Sequence, residues 1–136
     1  MITLQDYFND KPHPTEYNLN ALTLLYRVND LIAAFVTDTR TILQNNPATG
    51  NQISGNKNGD GGFRLQTSTT GSSKSAHKQA KAVDIYDLGE YLDKWLDENP
   101  DALIKYDLYR EASASTPGWC HLGTRKPLSG KRTFKP

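Results

Sequence analysis

The sequence predicts an α+β fold: a small antiparallel sheet with a long N-terminal helix and a second helix packed behind it. Three observations predict it. Leu22, Leu25, Val28, Ile32, Phe35 and Val36 recur at intervals of three and four, the spacing of a helix with one buried face. Leu88, Tyr91, Leu92, Trp95 and Leu96 repeat that spacing over a shorter stretch. Strand-like runs are confined to the second half, at Ala82–Tyr86, Ile104–Glu111 and Trp119–Thr124.

Taken in order, Thr3 is placed to cap a short helical turn over Leu4–Phe8, which Pro12 and Pro14 then stop. The long helix is expected from Asn18 to about Leu43, with Asn20 as its cap and Thr37–Thr39 as a break or bend. From Asn45 to Gly62 the chain is rich in Asn and Gly and reads as a long irregular connection, with one short strand at Gln52–Ser54. A loop of that length in a short chain is usually functional or mobile. Phe63–Leu65 reads as a strand, followed by a Ser/Thr/Gly/Lys loop through Lys74. After the strand Ala82–Tyr86, the second helix runs from Leu88 to Glu98, with Asp87 as a cap and Pro100 beyond its end. Ile104–Glu111 alternates, with Lys105, Asp107, Tyr109 and Glu111 on one face. Ser113–Gly118 turns the chain back, so this strand and Trp119–Thr124 form a hairpin. Alternation puts Trp119, His121 and Gly123 on one face, and Cys120 and Leu122 on the core side.

The chain has 136 residues, which suits one domain with a modest core. The hydrophobic fraction is 36% and the mean hydropathy −0.68, so loops are generous. Sixteen basic residues against fifteen acidic leave a net charge of +1, a balance that does not point to nucleic acid. The segment 125–136 is basic, with Arg125, Lys126, Lys131, Arg132 and Lys135 and no acid, and reads as a solvated end. A single cysteine excludes an intramolecular disulfide. The N-terminus lacks a basic segment followed by an apolar one, so no signal peptide is expected, and no stretch reads as long enough to insert in a membrane.

Chemistry concentrates in Ser75–Tyr86, where His77 and Asp84 stand seven positions apart. Asp84 lies inside the apolar run Ala82–Ile85, where an ionised carboxylate is costly unless paired or bound to a cation. His121 lies in a second apolar run. Two imidazoles and one carboxylate make a three-ligand zinc set with a fourth position open, a catalytic stoichiometry. From spacing alone, a loop histidine, a lysine-paired aspartate and a satisfied core histidine are the reading to prefer. The odd spacing means that His77 and Asp84 cannot share one straight strand, so the chain must curve through Lys78–Lys81.

Gly62-Phe63-Arg64, Ser75-Ala76-His77, Val83-Asp84-Ile85 and Trp119-Cys120-His121 resemble, in order, the signature of the zinc D-Ala-D-Ala carboxypeptidase family. The resemblance covers residues 60–124, with the basic segment 125–136 beyond it. It implies zinc held by His77, Asp84 and His121, and a peptidase acting on peptidoglycan stem peptides, as a D,D-carboxypeptidase or an L-Ala-D-Glu endopeptidase. Arg64 would grip a substrate carboxylate, Ser75 would bond substrate or tie down the loop, and Trp119 would line the cleft with Tyr86 and Tyr109. The family's catalytic acid is expected three positions before the last histidine, where this chain has Gly118. Glu111 is the substitute candidate and Asp107 the second. Ala80 stands where relatives have glycine, and His13 carries no motif and reads as structural.

The short single domain is similar to bacteriophage versions of the family. Such a protein is made in the host cytoplasm and acts at the cell wall after holin release or delivery in the virion, with a virion protein as a further partner. Absence of the acid at Gly118 keeps a second reading open, a zinc-stabilised module that binds peptidoglycan or a virion protein without cutting. A phage structural protein without metal is the third.

Overall fold

Thr3 opens the first element with a reciprocal cap: its hydroxyl accepts from the Asp6 amide, and the Asp6 carboxylate accepts from the Thr3 amide. The resulting helix α1, Leu4–Phe8, ends at Asn9 in a left-handed conformation, ahead of the prolines. The computed structural model describes residues 1–43 and 60–136; the short strand expected at Gln52–Ser54 lies outside them, as does most of the expected irregular connection.

Helix α2 spans Glu16–Thr39 and buries Ala21, Leu24, Leu25, Val28, Leu31 and Phe35. It starts earlier than the sequence suggested. Asn20 is inside it, not at its cap, and its amide donates to the Gln79 carbonyl at 3.0 Å. The Thr37–Thr39 run is the end of the helix, closed by Arg40 in a left-handed conformation. At 24 residues, with a window of mean hydropathy 1.3, α2 is long and apolar enough by length and composition to cross a membrane, contrary to the sequence expectation. Here its apolar stripe joins the core. Core helices of globular domains pass the same test.

The sheet holds four strands in the order β1-β3-β2-β4: β1 Ala82–Tyr86, β2 Tyr109–Glu111, β3 Trp119–Gly123 and β4 Thr133–Phe134. The fold is α+β, as expected, but the sheet is mixed and not purely antiparallel. β3 pairs antiparallel with both β1 and β2, whereas β4 pairs parallel with β2. The basic segment is therefore not a solvated end. Its backbone completes the β2 edge through Arg110 N–H to Arg132 O (2.7 Å) and Ala112 N–H to Phe134 O (2.8 Å).

Val83, Ile85, Cys120 and Leu122 face a single core shared with α2 and with α3, Tyr91–Glu98. Phe35 meets Trp95 edge to face at 5.7 Å, and the Trp95 indole donates to Asp38 at 2.6 Å. Helix α3 begins later than expected. Leu88 lies outside it and is exposed, while the Asp87 carboxylate accepts from the Leu92 amide at 2.7 Å and so still caps the first turn.

Two expected strands are corrected. The run Ile104–Glu111 splits into helix α4, Asp101–Lys105, and the short β2, because Pro100 and Asp101 favour a helix start and Asp107 turns the chain at φ 53°. Phe63–Leu65 is not a strand. The Phe63 amide donates to Tyr7 O at 2.9 Å and the Arg64 amide to His77 O at 3.2 Å, so this backbone bonds to α1 and to a 3-10 turn.

Candidate metal centre

The ladder aligns the chemistry. Asp84 on β1 pairs with His121 on β3. On β2, Tyr109 faces Gly123 and Arg110 faces Leu122, a register that extends to set Glu111 opposite His121. Glu111 in turn faces Phe134 on β4. Residues opposed across a ladder share a face, so Asp84, His121, Glu111 and Phe134 form one row across the sheet. His77 arrives from outside the sheet, on the 3-10 turn Ala76–Gln79. That turn supplies the curvature the odd spacing demanded, and closes at Ala80 with φ 56°, a conformation in which glycine is more at ease.

His77 Nε2, Asp84 Oδ1 and His121 Nδ1 converge. Asp84 Oδ1 lies 3.3 Å from His77 Nε2 and 2.9 Å from His121 Nδ1, and one ligand atom from each residue falls within 4.8 Å of the others. Donors on a metal with bonds of about 2.0–2.1 Å in tetrahedral array stand about 3.3 Å apart, close to the two separations that Asp84 Oδ1 makes with the imidazoles.

The tautomer sharpens this. His77 Nδ1 sits 2.8 Å from Gly62 O. A carbonyl only accepts, so Nδ1 carries hydrogen, and in the neutral ring Nε2 offers a lone pair. Burial holds the His77 imidazole below its ordinary pKa despite the nearby Asp84, which favours that neutral form. Its lone pair therefore faces the carboxylate oxygen of Asp84, a second acceptor, in a buried site. Two acceptors so placed repel unless a proton or a metal cation stands between them.

The other charges are arranged around Asp84. Burial pushes its carboxyl up, but the imidazoles beside it, His77 by charge and hydrogen bond wherever its ring is protonated and His121 by hydrogen bond and charge, outweigh that and hold it well below the usual range. Burial pushes His121 down, but the hydrogen bond and charge of Asp84, with Glu111 behind them, raise it. Arg64 donates from Nη2 to Asp84 Oδ2 at 3.1 Å and from Nε to Asp60 O at 2.9 Å.

A loop from 60 to 70 holds this centre. Gly61 O accepts from the Asp84 amide at 2.7 Å, next to the Gly62 carbonyl that orients His77. A Cβ on Gly62 would stand 2.3 Å from Tyr7 O, so only glycine lets the loop approach α1 this closely. The Tyr7 hydroxyl, fully buried, donates to Ala82 O at 2.8 Å. Lys11 bridges Asp60 and Phe63 O, Thr70 donates to Asp60 at 2.7 Å, and the buried Lys78 ammonium donates to Gln66 O and Ser68 O. Among these, only the paired glycines 61 and 62 left a sequence signal, a tight backbone approach.

The three expected ligands, with Arg64, Ser75, Glu111 and Trp119, line one cleft of about 770 Å³. Glu111 Oε1 is 3.9 Å from His121 Nε2. Ser75 ties down the loop, its hydroxyl accepting from the His77 amide at 3.2 Å. Tyr109 joins the cleft, whereas Tyr86 lines a separate hollow with Leu88 and Tyr91. Asp107 does not come to the site: it is solvent-facing and paired with Arg27 and Arg132. The expected alternation that placed it beside Glu111 fails because the chain turns at Asp107. Cys120 is buried on the opposite face, where burial pushes its thiol up, and His13 stacks on Phe8 at 3.5 Å as a structural group.

Comparison with models of known protein families, with curated proteins and with solved structures gave no match to this chain.

Proposed function

We propose that this protein is a zinc-dependent peptidase that hydrolyses peptide bonds in bacterial peptidoglycan stem peptides, acting as a phage endolysin or virion-associated lysin. One observation carries the reading. The lone pair of His77 and the carboxylate of Asp84 face one another, with His121 beside them, at the floor of a cleft that also presents one further carboxylate side chain, Glu111. The ordered motif resemblance adds the substrate class.

His77, Asp84 and His121 would hold a zinc ion, which would supply a Lewis acid for a peptide carbonyl and bring the pKa of a water from about 16 toward about 7. The residues of the chain do the rest. Glu111 takes the proton of the attacking water as the new C–O bond forms, then delivers it to the leaving amine as the C–N bond breaks. Arg64, already committed to Asp84 through Nη2, keeps the ligand oriented. Its Nη1 packs against Gly71, 2.8 Å from where a Cβ would stand, so the glycine lets the guanidinium seat in the cleft wall, where it would meet a substrate carboxylate. Tyr109, Trp119 and Phe134 give the cleft an apolar wall for the peptide.

A second reading has one feature in its favour. Gly118, where the family's acid is expected, is in a turn at φ 85° and offers no side chain. A zinc-stabilised module binding peptidoglycan or a virion protein would need no base. Elemental mass spectrometry on freshly purified protein, beside His77→Ala, tests the metal: about one zinc per chain, lost in the variant, is expected. Digestion of purified cell walls, read by mass spectrometry for the bond lost, separates the readings. Zinc without cleavage means the binding module, and no zinc in either protein ends both.

A further inference from the structure

The cleft walls differ in charge. Among the described residues, Arg27, Arg110 and Arg132 are each paired with a carboxylate outside the cleft. Lys74, Arg125 and Lys126 line the cleft and have no ion-pair partner among the described residues. They flank the ligands in sequence, Lys74 just before His77 and the other two just after His121. A direct clasp joins them: Arg125 Nη1 donates to Lys74 O at 2.8 Å and to Gln79 Oε1 at 3.2 Å. Arg125 is thus held at the rim by groups that leave its charge uncompensated. The cleft's carboxylate side chains are Glu111, at the β2 end, and Asp84, already neutralised by Arg64 and the imidazoles.

We infer that Lys74, Arg125 and Lys126 form an anion subsite that selects peptides carrying a second free carboxylate, beyond the one Arg64 would grip. The inference rests on the peptidase reading for its substrate, but on charge placement alone for its selectivity. Unpaired cations on one wall of a concave, partly apolar site concentrate field there and favour a carboxylate with little reorganisation. A lysine pair with a clasped arginine also tolerates the varied geometry of a side-chain or α-carboxylate on a γ-linked residue. Neutral or amidated peptides of the same shape would leave the three cations unpaired on binding.

The test is binding, kept apart from cleavage. Zinc-loaded protein is titrated calorimetrically with the synthetic tripeptide L-Ala-γ-D-Glu-L-Lys, and with the same peptide amidated at the glutamate α-carboxyl. The free acid is expected to bind roughly tenfold more tightly at low salt, an advantage that shrinks as salt rises. Lys74→Gln/Lys126→Gln is expected to lose most of that preference, binding the free acid nearly as weakly as the amide while its affinity for the amide and its zinc content stay unchanged. Arg125 is left in place because it anchors the loop. Equal affinity of the two peptides for the wild type overturns the subsite, as does a preference undiminished in the double variant. Oligothymidylate competing as well as the acid peptide overturns it too, because the rim would then be a general polyanion surface. Failure of the peptidase reading looks different: acid-selective binding with cell walls left uncut.

Discussion

In the proposed mechanism, Glu111 is the residue on which hydrolysis would depend. It is the carboxylate that the ladder register sets opposite His121, and it lines the same cleft. Glu111→Gln keeps the shape and removes the base, so cell-wall cleavage is expected to fall by about 10²-fold or more while bound zinc stays constant. Unchanged cleavage would remove Glu111 from the mechanism. A second residue-scale expectation concerns the far face of the sheet. Asp93 on α3 accepts from Arg110 at 3.0 Å and is buried beside the Cys120 thiol. Burial raises its carboxyl to about 6, against the pull of Arg110. A carboxyl whose folded pKa exceeds the unfolded value of about 3.9 binds more protons when folded. Its stabilising contribution is therefore complete below about pH 4 and is lost as pH rises through about 6. The melting-temperature difference between wild type and Asp93→Asn should shrink in favour of the variant over that window. A difference flat with pH would mean that Asp93 stays ionised in the fold.

At the scale of elements, the loop 60–64 is what makes the centre geometric. It receives the Asp84 amide, orients His77 and is pinned to α1 through Tyr7. Gly62→Ala puts a methyl 2.3 Å from Tyr7 O and forces the loop away. Disturbing the acceptor that orients a metal-binding histidine typically costs 10–100-fold in metal affinity. That loss is expected in a chelator competition, with far-UV circular dichroism little changed. Affinity equal to wild type would show that the Gly62 carbonyl does not set the His77 tautomer. The hydrogen bonds of this loop reach residues 7, 77 and 84, so no local pattern in the sequence could display them.

For the whole molecule, the proposed metal centre couples metal binding to folding. The convergent ligands come from β1, β3 and the 3-10 turn, and the unfolded chain has no such site. Free zinc at about a hundred times its dissociation constant adds about 2.7 kcal/mol, which for a domain of this size corresponds to roughly 5–10 °C. Chelation should lower the melting temperature by that amount, and added zinc should restore it. A melting temperature indifferent to chelator and zinc alike would mean that Asp84 is satisfied by Arg64 and His121 alone.

The sequence by itself determined the α+β class, the existence of α1, α2, α3, β1 and β3, and the grouping of His77, Asp84 and His121. The elements are carried by local periodicity, and the grouping of the three residues by the order of the motifs around them, since their spacing alone favoured the alternative. It also placed Cys120 and Leu122 against the core, because strand alternation is a local property. Only the tertiary structure decided that the basic segment returns as β4, that Ile104 belongs to the end of a helix, that Asp107 leaves the site and Glu111 stays, and that Lys74 and Arg125 meet. Those outcomes depend on hydrogen bonds and pairings between residues far apart in the chain, made when a free strand edge and an unsatisfied loop find partners. An alternating pattern over Ile104–Glu111 fits a strand or the last turn of a helix equally well. The choice between them was made by Pro100 and by the turn at Asp107.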